Sequence, residues 1–104
     1  MGFKSDFGIR LKELRKRKNL SQEKFSEMIN IAQNTLSSIE TGTHFCSAET
    51  IERIINILEI EPTELFNFGY KNPKYKLLDN ITFTLKNNPD KIDEVWKIVK
   101  AITD

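Results

Sequence analysis

The chain has 104 residues, with 16 Lys/Arg balanced against 15 Asp/Glu, and a single Cys. The length suits one compact domain with an appendage, and one Cys excludes an internal disulfide, as expected of a reducing compartment. No apolar run approaches the ~18 residues of a membrane span, and "MGFKSDFGIR" has neither a hydrophobic signal core nor, with Asp6, a myristoylation pattern. The reading is a soluble cytoplasmic protein.

The charge is unevenly spread. Residues 1–44 hold 8 Lys/Arg against 5 Asp/Glu, and 45–104 hold 8 against 10. Within "RLKELRKRK", 10–18, six residues are basic and one is acidic. An anionic partner for the first half would explain the skew, and so would a solvated helix face.

Apolar periodicity predicts helices almost throughout. Phe7, Leu11 and Leu14 mark a first helix ending near Asn19. Ser21 caps a second, with Glu23 at its positive end and Phe25, Met28 and Ile29 on its inner side. Asn30 suits a left-handed turn position. The third helix is "IAQNTLSSIETG", 31–42, closed by Gly42. Ser47 caps a fourth, with Ile51, Ile54, Ile55 and Leu58 inside, and Pro62 starts a short fifth through Leu65 and Phe66. "NFGYKNPKYK", 67–76, reads as a linker. Two more helices follow, over roughly 76–87 and 89–103, the second entered through "NNPD". The fold class expected is all-α: a five-helix domain over 1–68 and a linker with two C-terminal helices over 69–104.

The third helix carries the unusual feature. Ala32, Leu36 and Ile39 fall on one side, while Gln33, Asn34, Ser37, Ser38 and Thr41 fall on the other. That outer side has no charged residue, although long charged side chains usually cover a wet helix face. Joined to the second helix, "SQEKFSEMINIAQNTLSSIETG" has helix-turn-helix spacing, with small Ser26 at the close approach and Phe25, Ile29, Ile31, Leu36 and Ile39 in the angle. Such a second helix presents its outer face to the major groove. Amides and hydroxyls match base edges: Gln and Asn pair with adenine N6 and N7, and Ser and Thr take either role. A neutral surface helix in a bundle is the alternative.

"FGIRLKELRKRKNLSQEKFSEMINIAQNTLSSIETG" and then "SAETIERIINILEIEPTELF" resemble the phage-repressor/Cro type helix-turn-helix, or XRE, family over about residues 7–66. The resemblance implies a five-helix repressor-like DNA-binding domain with a helix-turn-helix, acting as a dimer on inverted repeats of double-stranded DNA. It implies base contacts by Gln33, Asn34, Ser37 and Ser38, and backbone contacts by Gln22, Thr41 and Thr43. His44, Arg10 and Lys18 are added as backbone candidates. Arg15 and Glu40 match the family's internal ion pair and are structural. The chain departs from the family at Asn30, where Gly is usual, at Ala32, where Ser or Thr caps, and in having no Lys or Arg between Lys24 and Arg53. A shallow dependence of binding on salt is therefore expected.

His44 and Cys46 are too few for a zinc site, which takes three or four protein ligands. No nucleophile–base pair or phosphate-binding Gly-rich loop is present. Neither an enzyme nor a cofactor or metal is expected. The tail helices carry Leu78, Ile81, Leu85, Val95, Trp96, Val99 and Ile102, more than two helices can bury between themselves. Either they fold back on the first domain or they form the interface of a homodimer. The overall expectation is a bacterial or phage repressor. An antitoxin whose tail holds a toxin, or an adaptor that binds protein rather than DNA, are the rivals.

Overall fold

The computed structural model describes residues 2–69 and 72–104. Those residues form seven α-helices and no strand: α1 (Phe3–Arg17), α2 (Gln22–Met28), α3 (Gln33–Glu40), α4 (Ala48–Leu58), α5 (Pro62–Leu65), α6 (Pro73–Lys86) and α7 (Ile92–Thr103), with a 3₁₀ turn at Pro89–Lys91 before α7. They divide into two compact units, one up to Phe68 and one from Gly69 onward.

Local chemistry sets the boundaries in the first unit. Ser21 and Ser47 adopt extended backbone and accept from the amides of Lys24 and Thr50, at 3.0 and 3.2 Å. Each satisfies an amide that the first helical turn leaves without an internal partner. Asn30 takes φ 59° between α2 and α3, a conformation asparagine tolerates better than most side chains. Ile31 N–H then donates to Ser26 O at 3.0 Å. Gly42 ends α3 at φ 83°, which glycine adopts without steric cost. Pro62 opens α5, and Glu64 Oε2 reaches back to accept from the Glu61 amide at 3.2 Å, as in a capping box. Ala32 precedes α3 with no side-chain cap.

The core of this unit is Phe7, Leu11, Leu14, Phe25, Ile29, Leu36, Ile39, Ile54, Leu58 and Leu65, all at most 5% exposed. Ile31, Ile51 and Ile55 pack against it less completely. Met28 does not join it: at 39% exposed it lies on the outer side of α2, and Ser26 takes the buried place beside Phe25. Ser26 Oγ donates to Glu23 O at 2.9 Å, so the close approach buries no unmatched hydroxyl. Gly8 brings α1 against the end of α3. A Cβ there would strike Ile39 O and stand 2.5 Å from Glu40 O.

Three further rings meet Phe7, those of Phe3, Phe45 and Phe66, and Phe68 joins the cluster through Phe3 and Phe66, with Phe7–Phe45 centroids at 4.9 Å and Phe3–Phe68 at 5.5 Å. Tilted and edge-on contacts of this kind suit the charge distribution of aromatic rings. Phe45 and Phe66 thus pack while remaining 38% and 37% exposed.

In the second unit α6 starts at Pro73, inside the stretch expected to be linker. Asn72 Oδ1 accepts from Lys74 N at 3.0 Å, and proline at the first helical position needs no amide partner. Of the expected linker, Tyr70 and Lys71 lie outside the described residues. Pro89 and Asp90 of "NNPD" open the 3₁₀ turn rather than α7, and Asn87 ends α6. Asn88 caps nothing with its side chain and instead donates to Thr84 O at 2.9 Å.

Candidate nucleic-acid interface

The α2–turn–α3 unit presents α3 outward. Leu36, Ile39 and Glu40 are buried, while Gln33, Asn34 and Thr35 are exposed and Ser37 and Ser38 half-buried. Thr41, Thr43 and His44 continue the exposed surface into the following loop. Thr41 Oγ1 bonds to Ser38 O at 3.2 Å and lies 3.3 Å from Thr43 Oγ1, which orders the end of the ridge. Thr35 lies outside the set read from the sequence. With helical residues turning about 100° each, it sits beside Leu36 at the edge of the wet face, and its exposure adds a hydroxyl and a methyl group to the first turn.

The one carboxylate of α3 is fastened behind this ridge. Arg15 Nε donates to Glu40 Oε2 at 2.7 Å and Arg15 Nη2 to Glu40 Oε1 at 3.0 Å. A third guanidinium donor, Nη1, reaches Leu20 O at 2.7 Å. The two side chains are 6% and 2% exposed. A planar guanidinium matches both carboxylate oxygens at once, so the pair joins α1 rigidly to the end of α3. Gln22 completes the cluster, its Nε2 donating to Glu40 Oε1 at 2.9 Å.

That last bond gives Gln22 a structural role. An ionised carboxylate only accepts, so the nitrogen of the Gln22 amide must face Glu40. One of the two amide hydrogens expected to be available for a phosphate is engaged inside the protein, and the second is left over. Arg10 is also withdrawn from the surface. It is 3% exposed, with Nε donating to Glu64 O at 2.8 Å and Nη1 to Glu13 Oε1 at 2.6 Å. Its work is to join α1 to α5, and it cannot meet a phosphate from there. Glu13 Oε1 also lies 3.4 Å from Arg17 Nη2. The exposed cations of the unit are then Lys12, Lys16, Lys18 and Lys24, besides Lys4 and Arg53.

No group of His, Cys, Asp and Glu among the described residues could hold a metal ion. His44 is exposed, and Cys46 is half-buried in the loop, where burial raises its thiol above the usual range. No described helix is long and apolar enough to cross a membrane.

The sequence profile of the helix-turn-helix domain matches residues 8–68, more than half of the chain. The chain belongs to the XRE-type helix-turn-helix family of DNA-binding regulators. Among helix-turn-helix proteins it is similar to the control protein C.MunI from a Mycoplasma species, 44% identical over 62 residues, covering 59% of this chain and 84% of that one. Control protein C.BamHI from Bacillus amyloliquefaciens is 35% identical over 63 residues, covering 60% and 78%. The crystal structure of the restriction-modification controller protein C.AhdI from Aeromonas hydrophila superposes with a TM-score of 0.56 at 36% identity, covering 59% of this chain and 92% of that one. The clp gene regulator ClgR from Corynebacterium glutamicum, at 15% identity, shares the fold over 85% of this chain and 95% of its own, with a TM-score of 0.63.

Proposed function

We propose that the chain is a dimeric repressor that places α3 in the major groove of each half of an inverted-repeat operator. The observation that carries this reading is the uncharged row of exposed Gln33 and Asn34 and half-buried Ser37 and Ser38, backed by a carboxylate that Arg15 and Gln22 hold away from it. A carboxylate on that surface would repel phosphates. With Glu40 held inside, amides and hydroxyls meet the base edges. Thr41, Thr43, His44 and Lys18 flank the row and contact the sugar–phosphate backbone. Two copies are needed because one short helix reads only a few base pairs, while a two-fold pair reads two half-sites about 34 Å apart. Repression follows from occupying a promoter.

The likeness to control proteins and to a restriction-modification controller protein supports regulation of a restriction–modification locus, in preference to an antitoxin or an adaptor role. Footprinting on DNA upstream of the chain's own gene, at stated salt, tests the reading. Protection of two half-sites on one face of the duplex is expected. Gln33→Ala should lose about 1–3 kcal/mol of discrimination between operator and random DNA. Equal loss on both DNAs would remove Gln33 from the base contacts.

A further inference from the structure

The second unit leaves its apolar side uncovered. Leu77, Leu78, Ile81, Trp96, Val99 and Ile102 are 40–76% exposed. An open groove between α6 and α7 is lined by Leu77, Ile81, Leu85 and Val95 together with Asn80 and Thr84. Large side chains of roughly 200 Å² each at those exposures offer on the order of 700 Å² in total. A standard interface takes about 800 Å² from each partner. About half of the offered surface is on α7, so pairing of α7 alone falls short and both helices must take part.

We propose that the α6–α7 units of two copies close on one another as a four-helix interface, with α7 antiparallel to its counterpart. On α7, Ile92, Val95, Trp96, Val99 and Ile102 follow the spacing that seats one helix against another. The charges set the direction. The first turn carries Asp93 and Glu94, and the later turns carry Lys97 and Lys100. Parallel helices would put acid beside acid and base beside base. Antiparallel helices centred near residue 97 set Val95 opposite Val99 and Glu94 opposite Lys100, with the Lys97 pair at the axis the one like-charge approach. Lys91, 3.8 Å from Glu94, offsets only part of the acidic end. Lys100 Nζ stands 6.0 Å from the Trp96 ring, at the rim of the apolar stripe, where it meets the acidic end of the second copy. The surface is its own complement in shape of charge and in apolar content, as an isologous two-fold contact requires. A second copy is therefore the occupant.

The inference rests on the dimeric reading above, and its test reads assembly in the absence of DNA. Sedimentation equilibrium of the full chain at micromolar concentration should give a dimer for the wild type and a monomer for Trp96→Glu. The same Trp96→Glu protein should bind a single half-site as the wild type does, which separates loss of assembly from loss of DNA reading. Asp93→Lys with Glu94→Lys should weaken the dimer several-fold, as should Lys100→Glu, and combining all three should restore it. A monomeric wild type, or a Trp96→Glu protein that remains dimeric, overturns the interface. A triple variant no tighter than either parent overturns the antiparallel direction.

Discussion

Gln22 Nε2 donates to Glu40 Oε1 at 2.9 Å, linking the first residue of α2 to the last residue of α3. The bond fixes which end of the amide faces the protein and uses one of its two hydrogens, leaving the second hydrogen and the Gln22 carbonyl oxygen for outside partners. Gln22→Met keeps the stem and removes the donor. It should cost about 1.5–3 kcal/mol in urea unfolding, the range for hydrogen bonds to charged groups, with Arg15 still bonded to Glu40. If Gln22 instead served as a phosphate donor, the variant would keep its stability and weaken operator and random DNA alike.

Breaking the Arg15–Glu40 pair should be far more damaging. Arg15→Met or Glu40→Leu leaves an uncompensated charge in a site that is nearly closed to water, at about 3–5 kcal/mol. Replacing both together should recover much of that loss, because no lone charge remains. A double-mutant cycle read by urea unfolding checks this. Near-additive losses would place the stabilisation outside the pair.

Gly8→Ala separates helix propensity from packing. On an exposed helix alanine gains up to about 1 kcal/mol over glycine. Here the added methyl meets backbone carbonyls of Ile39 and Glu40, which cannot rotate away as a flexible side chain would. Overpacking of about 1–3 kcal/mol should win, lowering the melting temperature. A rise would mean that α1 and α3 can separate without loss.

Arg10 and Lys18 should behave oppositely although both lie on or just beyond the basic stretch of α1. Arg10→Met removes donors to Glu64 O and Glu13 and should lower stability without changing the salt slope of binding. Lys18→Ala should leave stability unchanged and weaken operator and random DNA equally. Each phosphate no longer neutralised lowers the magnitude of the salt slope by about 0.9. Titrations at several salt concentrations, beside thermal melts, check both.

Cys46 should alkylate slowly. Burial raises its thiol pKa, and only the thiolate attacks, so at pH 8 its reaction with iodoacetamide should be slower in the folded chain than in urea. The difference should shrink as pH rises past the folded value. Equal rates at pH 8 would show that the loop opens freely.

The local features were legible in the sequence because they depend on neighbours. The Ser21 and Ser47 caps, the left-handed Asn30 and the closing Gly42 each follow from side-chain chemistry within a few residues. So does the burial of Leu36 and Ile39 against an exposed Asn34. Asn72–Pro73 carried an equally good start signal, but the surrounding Gly, Asn and Lys residues made the composition look like linker. Tertiary partners were less accessible. Arg10 sits in a run of basic residues and reads as a surface cation. Its carbonyl partner on Glu64 is 54 positions away, and nothing in the run announces it. Gln22 likewise gives no sign that Glu40, 18 positions on, will claim its donor. Met28 has a periodicity that suits the inner side of α2, yet at about 100° per residue the buried side runs from Phe25 through Ile29 to Ser26 and leaves Met28 on its outer flank.

The five-ring cluster joins Phe3, at the start of α1, to Phe66 and Phe68, beyond α5. Its consequence falls on synthesis. A nascent chain emerging from the ribosome can form the α2–α3 pair early, from contacts close in sequence, but Phe7 keeps an open flank until residues 66–68 have cleared the exit tunnel. The first unit therefore gains its last increment of cooperativity only as the tail is being translated, and a pause before residues 66–68 leave the tunnel would hold it in a looser, protease-sensitive form.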